Sequence, residues 1–308
     1  MKNILILGAN GMVGQDLIRL LKKYNTDANI KLCNRNNFLD NLNIISSFDV
    51  IFNCASSDVS EIIYPLVQKN QIYIDNSSYL RMNNKVPLVV PEINMTQSNI
   101  FANPNCVTII LTLFLNSIKR FNPKNIKVST YQSISGAGKN KFTDFINDHK
   151  IVSEIDLSVP QAKIDDNALA FNFYPHESEK DDLGFSGEEN KVMLETKKII
   201  NMDVFPTCIR IPAIRCHGES ITCELEETTK EELINEISKY NIKYVENPEA
   251  IDVELNESII VGHIRRNPFN NNEWNFYIIG DQLTRGAAYN AFKIYNILNI
   301  INENRECI

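Results

Sequence analysis

A cysteine stands where one helix of this sequence is expected to begin. Asn103-Pro104-Asn105 precedes Cys106, and the apolar pattern of Val107–Lys119 predicts an amphipathic helix directly after it. Proline and asparagine disfavour helix upstream, so Cys106 falls at or near the helix N-terminus. Backbone N–H groups and the helix dipole favour a thiolate there, which is the form that attacks an electrophilic carbon. The alternative is a small buried apolar residue, the role favoured for Cys33 and Cys54 within apparent strands.

One histidine lies in a turn that is unusually polar for its apolar surroundings. The chain has four histidines, and His217 belongs to Arg210–Ser220, a segment between two candidate strands. An imidazole with a pKa near the reference value of about 6.5 suits proton transfer at neutral pH. The alternative is a loop histidine without a chemical role. His149 and His263 have no supporting context, and we expect them to be surface or satisfied residues.

A glycine-rich segment lies directly between the first predicted strand and the first predicted helix. Gly8, Gly11 and Gly14 follow a G-x-x-G-x-x-G spacing, which differs from the strict G-x-G-x-x-G fingerprint. Glycines let the backbone turn sharply and approach a pyrophosphate, whose negative charge the helix N-terminus favours. Many tight turns also contain two glycines, but the strand–loop–helix context predicts dinucleotide binding. Arg35, just past the second strand, is either a contact for the 2′-phosphate of NADP or a solvated surface arginine.

The elements around the glycine segment alternate between short apolar runs and helix-like stretches. Strands are predicted at Lys2–Gly8, Ile30–Cys33, Val50–Cys54 and Ile72–Asp75, and helices at Gly14–Tyr24 and Glu61–Lys69. Pro87–Pro91 closes this part of the chain with a short apolar segment. Strand–helix alternation implies parallel pairing, so we expect an α/β fold whose N-terminal domain is Rossmann-like and binds a dinucleotide.

The remainder of the sequence predicts an α+β domain with a mixed sheet. Strands are predicted at Asn125–Ser133, Thr207–Ile211, Ser220–Leu225, Ile242–Val245, Ile259–Ile264 and Trp274–Ile279, and helices at Val107–Lys119, Glu188–Ile200, Lys230–Lys239 and Arg285–Ile300. Residues 139–190 are polar and show no clear period. We expect them to form loops and helices over an active site or an interface.

The composition excludes several classes of protein. With 308 residues, 44% hydrophobic and 22% charged, the chain suits one large or two ordinary domains. No apolar run approaches the ~20 residues that span a bilayer, and the run before Gly8 is too short for a signal peptide. A net charge of -7 argues against a nucleic-acid-binding surface. Small anionic substrates remain compatible with it, because a basic pocket can lie within an acidic surface.

The seven cysteines indicate reduced thiols. Their number is odd, their spacing is irregular, and no Cys-x-x-Cys occurs, so we expect neither a disulfide framework nor a structural zinc site. We therefore expect a protein of the reducing cytoplasm that holds no metal and binds neither nucleic acid nor membrane.

Through these residues the sequence resembles the aspartate-β-semialdehyde dehydrogenase family along nearly the whole chain. Seven segments carry the resemblance in order, namely Gly8–Gly14, Asp75–Arg81, Val86–Asn94, Asn103–Cys106, Val128–Gly138, Arg210–Ser220 and Gly280–Ala288. The sequence departs from the family at Asn10, where threonine is usual. It also departs at Cys216, where alanine or glycine is commoner, and at Gly218, where serine is commoner. It is also compressed between Arg35 and Asp49, the region that frames the adenosine ribose.

The resemblance implies a role for each matching residue. Cys106 would be the acylated nucleophile, His217 the acid–base residue, and Gln132 would position the reacting carbon near the sulfur. The substrate-binding residues would be Arg210 for the α-carboxylate, Glu188 for the ammonium, Arg81 and Lys191 for phosphate, and Asn105. A guanidinium suits bidentate binding of a carboxylate. Without the resemblance, Glu188 and Lys191 would be read as an ordinary i,i+3 pair on a helix surface.

The cofactor implied is NADP, with NAD as the alternative. Its contacts would be Gly8, Asn10, Gly11, Met12, Val13, Gly14, Arg35, Ser135, Gly136 and Gln282. The resemblance also implies an NADP-binding domain at 1–105, onto which the closing helix at 284–308 packs back. Residues 106–283 would form the catalytic and dimerisation domain of a homodimer or homotetramer.

The activity implied is NADPH-dependent reduction of L-4-aspartyl phosphate to L-aspartate 4-semialdehyde through a cysteine thioester. This reaction belongs to the biosynthesis of lysine, threonine and methionine. A rival is N-acetyl-γ-glutamyl-phosphate reductase, which shares fold and chemistry but whose substrate lacks the free amine that Glu188 would bind. A rival of another class is a catalytically silent paralogue that binds nucleotide and a partner protein.

Overall fold

Short apolar runs in the first part of the chain form a parallel sheet. The computed structural model describes residues 1–38, 42–152 and 172–306. The strands of this sheet are β1 (Lys2–Leu7), β2 (Ala28–Cys33), β3 (Val50–Asn53), β4 (Ile72–Asp75) and β5 (Ile100–Ala102). They lie in the order β2-β1-β3-β4-β5, and every pair is parallel. The loops that follow the strands therefore lie at one edge of the sheet, where parallel α/β folds bind their ligands.

Four helices of the described residues belong to the same part of the chain. They are α1 (Met12–Lys23), α2 (Ser57–Ile63), α3 (Pro91–Asn94) and α4 (Cys106–Ser117). The expected bounds of Glu61–Lys69 were wrong: α2 starts earlier and passes into a 3₁₀ turn, because Pro65 has no N–H to continue the helix. The expected amphipathic character of the helix after Cys106 was also wrong. Residues 107–115 are all buried, as in a helix that is apolar on every side.

Mixed pairing characterises the second sheet, as the sequence predicted. Its strands are β6 (Lys124–Gln132), β7 (Tyr174–Pro175), β8 (Val204–Arg210), β9 (His217–Glu224), β10 (Ile242–Tyr244), β11 (Ile259–Arg266) and β12 (Glu273–Gly280). They lie in the order β10-β11-β12-β9-β6-β8-β7. β10 pairs parallel with β11, and β6 with β8, while the other pairs are antiparallel. Helices α5 (Lys139–Val152), α6 (Gly187–Ile200) and α7 (Lys230–Ile237) complete this part.

The chain divides into two compact units whose bounds differ from the expected domains. The first unit comprises Met1–Asn116, Leu194–Met202 and Leu283–Ile308, and the second comprises Ser117–Met193 and Asp203–Gln282. Most of α4 thus belongs to the first unit, whereas the sequence placed the boundary between residues 105 and 106. The end of α6 also belongs to the first unit.

The C-terminal segment is less regular than the single long helix that the sequence predicted. Thr284–Ala288 forms a π-helical turn, and α8 (Tyr289–Glu306) follows it. In the core of the first unit, Ile4 and Phe52 of the sheet lie in one buried cluster with Leu17 of α1 and Phe292 of α8. A π-turn inside a helix is uncommon and is often found at a functional site.

Candidate active site

The turn from β1 into the first turn of α1 accepts only glycine at two positions. Gly8 has φ +73°, and a Cβ added there would lie 2.6 Å from the carbonyl oxygen of Cys54. A Cβ added at Gly14 would lie 2.5 Å from the carbonyl oxygen of Gly8. Gly11 precedes α1 and provides no side-chain cap for the N–H groups of the first turn. The loop therefore offers a close backbone approach and a helix N-terminus to a pyrophosphate, so these residues fit a dinucleotide.

Of three further residues expected to contact the cofactor, Asn10 lies in the loop, and Met12 and Val13 are the first two residues of α1. Asn10 is exposed, and Met12 and Val13 are half-buried. Arg35 opens a 3₁₀ turn, Arg35–Asn37, after β2. Its side chain lies outside the described part of the structure, so its expected contact with a 2′-phosphate stays a prediction.

Cys106 is the first residue of α4, as the sequence predicted. Asn105 caps the helix, because its Oδ1 accepts hydrogen bonds from the backbone N–H of Val107 at 2.9 Å and of Thr108 at 3.4 Å. Cys106 is half-buried. Gly286 of the π-turn packs against it so closely that an added Cβ would lie 2.9 Å from the Cβ of Cys106. The residue at 106 is therefore held between a capped helix N-terminus and a glycine.

Four other cysteines are poor candidates for a nucleophile. Burial raises the pKa of the Cys54, Cys216 and Cys223 thiols to about 12. Burial also raises the pKa of the Cys208 thiol far above its ordinary value. These four thiols stay protonated at neutral pH and cannot attack as thiolates. None of the six described cysteines forms a disulfide.

The guanidinium of Arg81 is held in the same unit by three hydrogen bonds. Its Nη1 donates to Oε1 of Glu195 at 3.1 Å, its Nε to the carbonyl of Asn103 at 3.0 Å, and its Nη2 to the carbonyl of Asn76 at 2.9 Å. The other carboxylate oxygen of Glu195 accepts a hydrogen bond from the backbone N–H of Asn105 at 2.6 Å. A buried carboxylate thus contacts both the arginine and the residue before Cys106.

Three expected site residues form one row across the second sheet. Gln132 of β6 pairs in register with Arg210 of β8 on one side and with His217 of β9 on the other. Residues directly opposite one another on neighbouring strands project from the same face of a sheet. All three are buried, with exposed fractions of 2%, 3% and 0%. The strand register therefore brings an amide, a guanidinium and an imidazole together.

Gln132 is held from two sides. The hydroxyl of Thr130 donates to its Oε1 at 3.1 Å, and its Nε2 donates to Oε1 of Glu188 at 3.1 Å. The ammonium of Lys191 lies 3.2 Å from the other oxygen of Glu188. Glu188 is 5% exposed, so the pair is not the solvated surface pair that residue spacing alone suggested. Through the hydrogen bond from Gln132, Glu188 lies next to the row of Arg210, Gln132 and His217.

His217 is fully buried, and one of its ring nitrogens is satisfied. The backbone N–H of Ser133 donates to Nδ1 at 3.1 Å, so the neutral ring carries its proton on Nε2. Nε2 has no hydrogen-bond partner among the described residues. A Cβ added at Gly136 would lie 3.2 Å from Nε2. Burial, reinforced by the charge of Arg210, lowers the pKa of His217 to about 3, so the ring is neutral at physiological pH.

The turn before His217 is fixed by a second glutamine. Gln282 donates from Nε2 to the hydroxyl of Ser135 at 2.6 Å and accepts at Oε1 from the backbone N–H of Cys216 at 2.8 Å. Cys216 has φ +72°, a left-handed conformation that costs energy for any residue with a Cβ. The contacts bring Ser135, Gly136 and Gln282, which the sequence assigned to the cofactor, to the same end of the sheet as His217.

Arg210 has an unexpected carboxylate partner. Its Nε and Nη2 donate to the two oxygens of Glu177, at 3.3 Å and 3.2 Å. The ammonium of Lys141 lies 2.7 Å from the same carboxylate. Although burial alone would raise it, Lys141 and Arg210 lower the pKa of Glu177 to about 2. Glu177 is therefore ionised at neutral pH.

Comparisons with known proteins agree with this architecture. Residues 35–100 match the semialdehyde dehydrogenase NAD-binding domain, and residues 116–285 match the semialdehyde dehydrogenase dimerisation domain. The aspartate-semialdehyde dehydrogenase of Helicobacter pylori is 33% identical over 95% of this chain and 96% of its own length. That of Aquifex aeolicus is 30% identical over 96% and 97%. The chain belongs to the aspartate-semialdehyde dehydrogenase family.

Solved structures of the family show the same fold. The aspartate semialdehyde dehydrogenase II of Vibrio cholerae, described as complexed with ASA, is 26% identical and has a TM-score of 0.85 over 97% of this chain and 98% of that one. The enzyme of Candida albicans with NADP has a TM-score of 0.73 at 20% identity, over 98% and 99%. The family resemblance and the two-domain α/β fold predicted from the sequence are thus confirmed.

Some residues that line the site of this family member were not found from the sequence. Glu177 and His176 contact Arg210, with His176 Nε2 2.7 Å from the Nη2 of the guanidinium, and Ser133 contacts His217. Glu177 lies in a polar stretch without periodicity, so no sequence signal singled it out. Ser133 directly follows Gln132, the last residue of β6. Its position at the end of a strand was therefore a signal that the sequence offered.

Proposed function

We propose that the protein is an aspartate-semialdehyde dehydrogenase that reduces the acyl phosphate of L-aspartyl 4-phosphate to L-aspartate 4-semialdehyde with NADPH and releases phosphate. The row of Arg210, Gln132 and His217 carries this proposal. Its imidazole is neutral and has an Nε2 with no partner among the described side chains, beside a guanidinium suited to a carboxylate. The family membership supplies the reaction class that this arrangement fits.

Cys106 is the proposed nucleophile. Its sulfur, as thiolate, forms a bond to the acyl carbon while the carbon–oxygen bond to phosphate breaks, which leaves a thioester and inorganic phosphate. The capped N-terminus of α4 stabilises negative charge on the sulfur. Covalent catalysis divides one difficult displacement into two easier steps.

Arg81 and Lys191 are the proposed phosphate contacts. Both are cations, and Arg81 is held by three hydrogen bonds that leave part of its guanidinium unused. Arg210 is the proposed contact for the substrate α-carboxylate, and Glu188 for its ammonium. Glu188 favours a substrate with a free amine, such as aspartyl phosphate, over the N-acetylated substrate of the rival reductase, because a carboxylate binds an ammonium more strongly than a neutral amide.

The glycine loop at Gly8–Gly14 would hold NADPH, which would supply the hydride in the reductive direction. His217 acts on the acyl oxygen: the Nε2–H donates a hydrogen bond as negative charge develops there. When the carbon–sulfur bond breaks, the oxyanion becomes the carbonyl oxygen of the aldehyde, the thiolate of Cys106 is restored, and the proton stays on Nε2. Gln132, fixed by Thr130 and Glu188, keeps the reacting carbon in place.

One assay tests these assignments. The reaction is run in reverse with aspartate semialdehyde, phosphate and either NADP or NAD, and formation of the reduced cofactor is followed. We expect phosphate-dependent turnover that is faster with NADP than with NAD. An N-acetyl-γ-glutamyl semialdehyde arm tests the rival reductase, and the absence of turnover with every substrate would leave the silent paralogue.

We also propose a homodimer that forms through one face of the second sheet. Tyr131 of β6 and Phe205 of β8 are 38% and 59% exposed, and the strand register places both on the face opposite the row of Gln132. The match to a dimerisation domain over residues 116–285 supports this choice. Phe205→Glu is expected to give a monomer in light scattering, whereas Phe269→Glu, at a side chain that is 95% exposed in a loop, retains the dimer.

The described part of the chain contains no helix with the length and apolarity needed to cross a bilayer. The proposed reaction also requires a reduced thiol, which the cytoplasm maintains. We therefore propose a cytoplasmic enzyme of aspartate-derived amino-acid biosynthesis.

A further inference from the structure

Glu195 is a buried carboxylate that the proposed reaction scheme does not use. It is 1% exposed, and a carboxylate that deep in a protein is costly unless charged or polar groups satisfy it. Both of its oxygens are satisfied within the first unit. Oε1 accepts from Nη1 of Arg81 at 3.1 Å, and Oε2 accepts from the backbone N–H of Asn105 at 2.6 Å.

The contact with Asn105 fixes the start of the helix that carries Cys106. The N–H of Asn105 is held by Glu195, and its side chain caps the first turn through the N–H groups of Val107 and Thr108. Both the backbone N–H and the side chain of Asn105 are therefore held by hydrogen bonds, and the next residue along the chain is Cys106. A shift of the Asn105 peptide would displace the sulfur relative to the helix N-terminus that stabilises it.

The same carboxylate orients the guanidinium proposed for phosphate. Arg81 makes its one ionic contact among the described residues with Glu195, and its other contacts are the carbonyls of Asn103 and Asn76. Lys198, one turn further along the helix, donates to the backbone carbonyls of Arg81, Asn83 and Val86 at 2.7, 2.9 and 3.3 Å. The helix end thus fixes both the backbone and the guanidinium of Arg81.

The charges of this pair also balance. A lone carboxylate near Cys106 would oppose ionisation of the thiol, and Arg81 offsets that charge at 3.1 Å. The N-terminus of α4 then stabilises negative charge on the sulfur while the nearby carboxylate is offset by Arg81.

We propose that Glu195 is a positioning residue that sets the nucleophile and the phosphate-binding arginine relative to one another. This inference rests on the proposed function for the roles of Cys106 and Arg81. Glu195 touches neither substrate nor cofactor in this scheme. It acts through the Asn105 peptide and through the Arg81 guanidinium.

Glu195→Gln is the most informative variant. The amide has only one acceptor oxygen, whereas Arg81 and the N–H of Asn105 both donate to Glu195. One of these two donors therefore faces the amide NH₂ group instead of an acceptor. We expect the KM for phosphate to rise about 10-fold and kcat to fall about 10-fold, while the KM for aspartate semialdehyde changes less than about twofold. Glu195→Asp keeps the charge with a shorter reach, and we expect it to restore part of the loss.

A second readout does not depend on the substrate. The rate at which iodoacetamide alkylates Cys106, measured on the 106-containing peptide by mass spectrometry, is expected to fall about fivefold in Glu195→Gln. Removal of the negative charge by itself would accelerate alkylation, so a fall reports the lost position of the sulfur. The affinity for NADP is expected to stay at the wild-type value.

Glu236→Gln is the matched control, because Glu236 is also buried and pairs with Arg120 at 2.6 Å and Lys239 at 2.7 Å away from any proposed site residue. A purely structural role for Glu195 predicts the same small changes in both variants and a wild-type KM for phosphate, and that result would overturn the proposal. If Glu195→Gln does not fold, wild-type values for Glu195→Asp in KM and alkylation overturn it equally. If the wild type fails to turn over aspartate semialdehyde, the proposed function fails, but the alkylation rates still decide the role of Glu195.

Discussion

The guanidinium of Arg210 holds the carboxylate of Glu177 along one edge, with Nε to Oε2 at 3.3 Å and Nη2 to Oε1 at 3.2 Å. This is the geometry in which an arginine binds the carboxylate of a ligand. Nη1 also donates to the carbonyl of Ser133 at 3.0 Å, and Nη2 lies 2.7 Å from Nε2 of His176. The protein's own Glu177 therefore binds the guanidinium that we propose for the substrate α-carboxylate.

Glu177→Gln is expected to lower the KM for aspartate semialdehyde. A neutral amide competes less well than a carboxylate for the guanidinium, so the substrate displaces it more easily, by about three- to tenfold in KM with kcat within about twofold. Steady-state kinetics at saturating phosphate measure the effect. Glu179→Gln, two residues along the same exposed segment, is the control and should match the wild type. A higher KM in Glu177→Gln would show instead that Glu177 orients Arg210 for the substrate.

The buried imidazole of His217 should make the native state less stable in acid. Its pKa is lowered to about 3 in the folded protein, whereas an unfolded histidine titrates near ~6.5. Between these two pKa values, His217 is protonated in the unfolded chain but neutral in the native state. The free energy of unfolding therefore falls as the pH drops from about 6.5 towards about 3. Between pH ~7 and ~5 this amounts to about 2 kcal/mol.

Urea unfolding of the wild type and of His217→Gln at both pH values measures this contribution. The variant should lose about 2 kcal/mol less than the wild type on acidification. Glu219, whose pKa is raised well above its ordinary value by burial, changes stability in the opposite direction, so the difference between the two proteins is the readout. Equal losses in both proteins would mean that His217 is not buried in its neutral form.

Gly136 keeps open the space at the reactive nitrogen of His217. Gly136→Ala would place a methyl group 3.1 Å from Cε1 and 3.2 Å from Nε2 of the ring, where the proposed substrate oxygen must lie. We expect kcat/KM to fall at least about 10-fold with a change in melting temperature of only a few degrees. Gly187→Ala, whose added Cβ meets no atom closer than 3.5 Å, should keep wild-type activity. Wild-type kinetics in Gly136→Ala would place the substrate oxygen elsewhere.

Much of this fold was predictable because its elements are local. Short apolar runs such as Lys2–Leu7 and Ile72–Asp75 favour buried strands because they are shorter than a typical helix, and the glycines after β1 mark the turn into α1. Strand β5 was not predicted, because a run of three residues is too short to show a periodic pattern. Helix α4 is not amphipathic as expected, because its polar residues Thr108 and Thr112 are buried too, and the Thr112 hydroxyl donates to the backbone carbonyl of Thr108 in the same helix.

The candidate site was predictable where residue type alone carried the chemistry. Cys106 and His217 were singled out in this way, because thiol and imidazole have few common roles in such contexts, whereas Arg210 was assigned through the family resemblance. Glu177 was not, because its importance comes from contacts with Arg210 and Lys141, which are distant in the sequence. Glu195 follows Glu188 and Lys191 at the i, i+3, i+7 spacing of one helix face, a signal that was present in the sequence but indistinguishable from a solvated pattern.

Trapping the acyl-enzyme tests whether Cys106 is the nucleophile. The protein is mixed with aspartate semialdehyde and NADP in the absence of phosphate, quenched in acid, and digested for mass spectrometry, with Cys106→Ala and Cys223→Ala in parallel. We expect a burst of about one NADPH per active site and an aspartyl thioester on the Cys106 peptide in the wild type and in Cys223→Ala. We expect neither burst nor adduct in Cys106→Ala, with unchanged affinity for NADP. An undiminished burst in Cys106→Ala, or an adduct on another cysteine, would show that Cys106 is not the nucleophile.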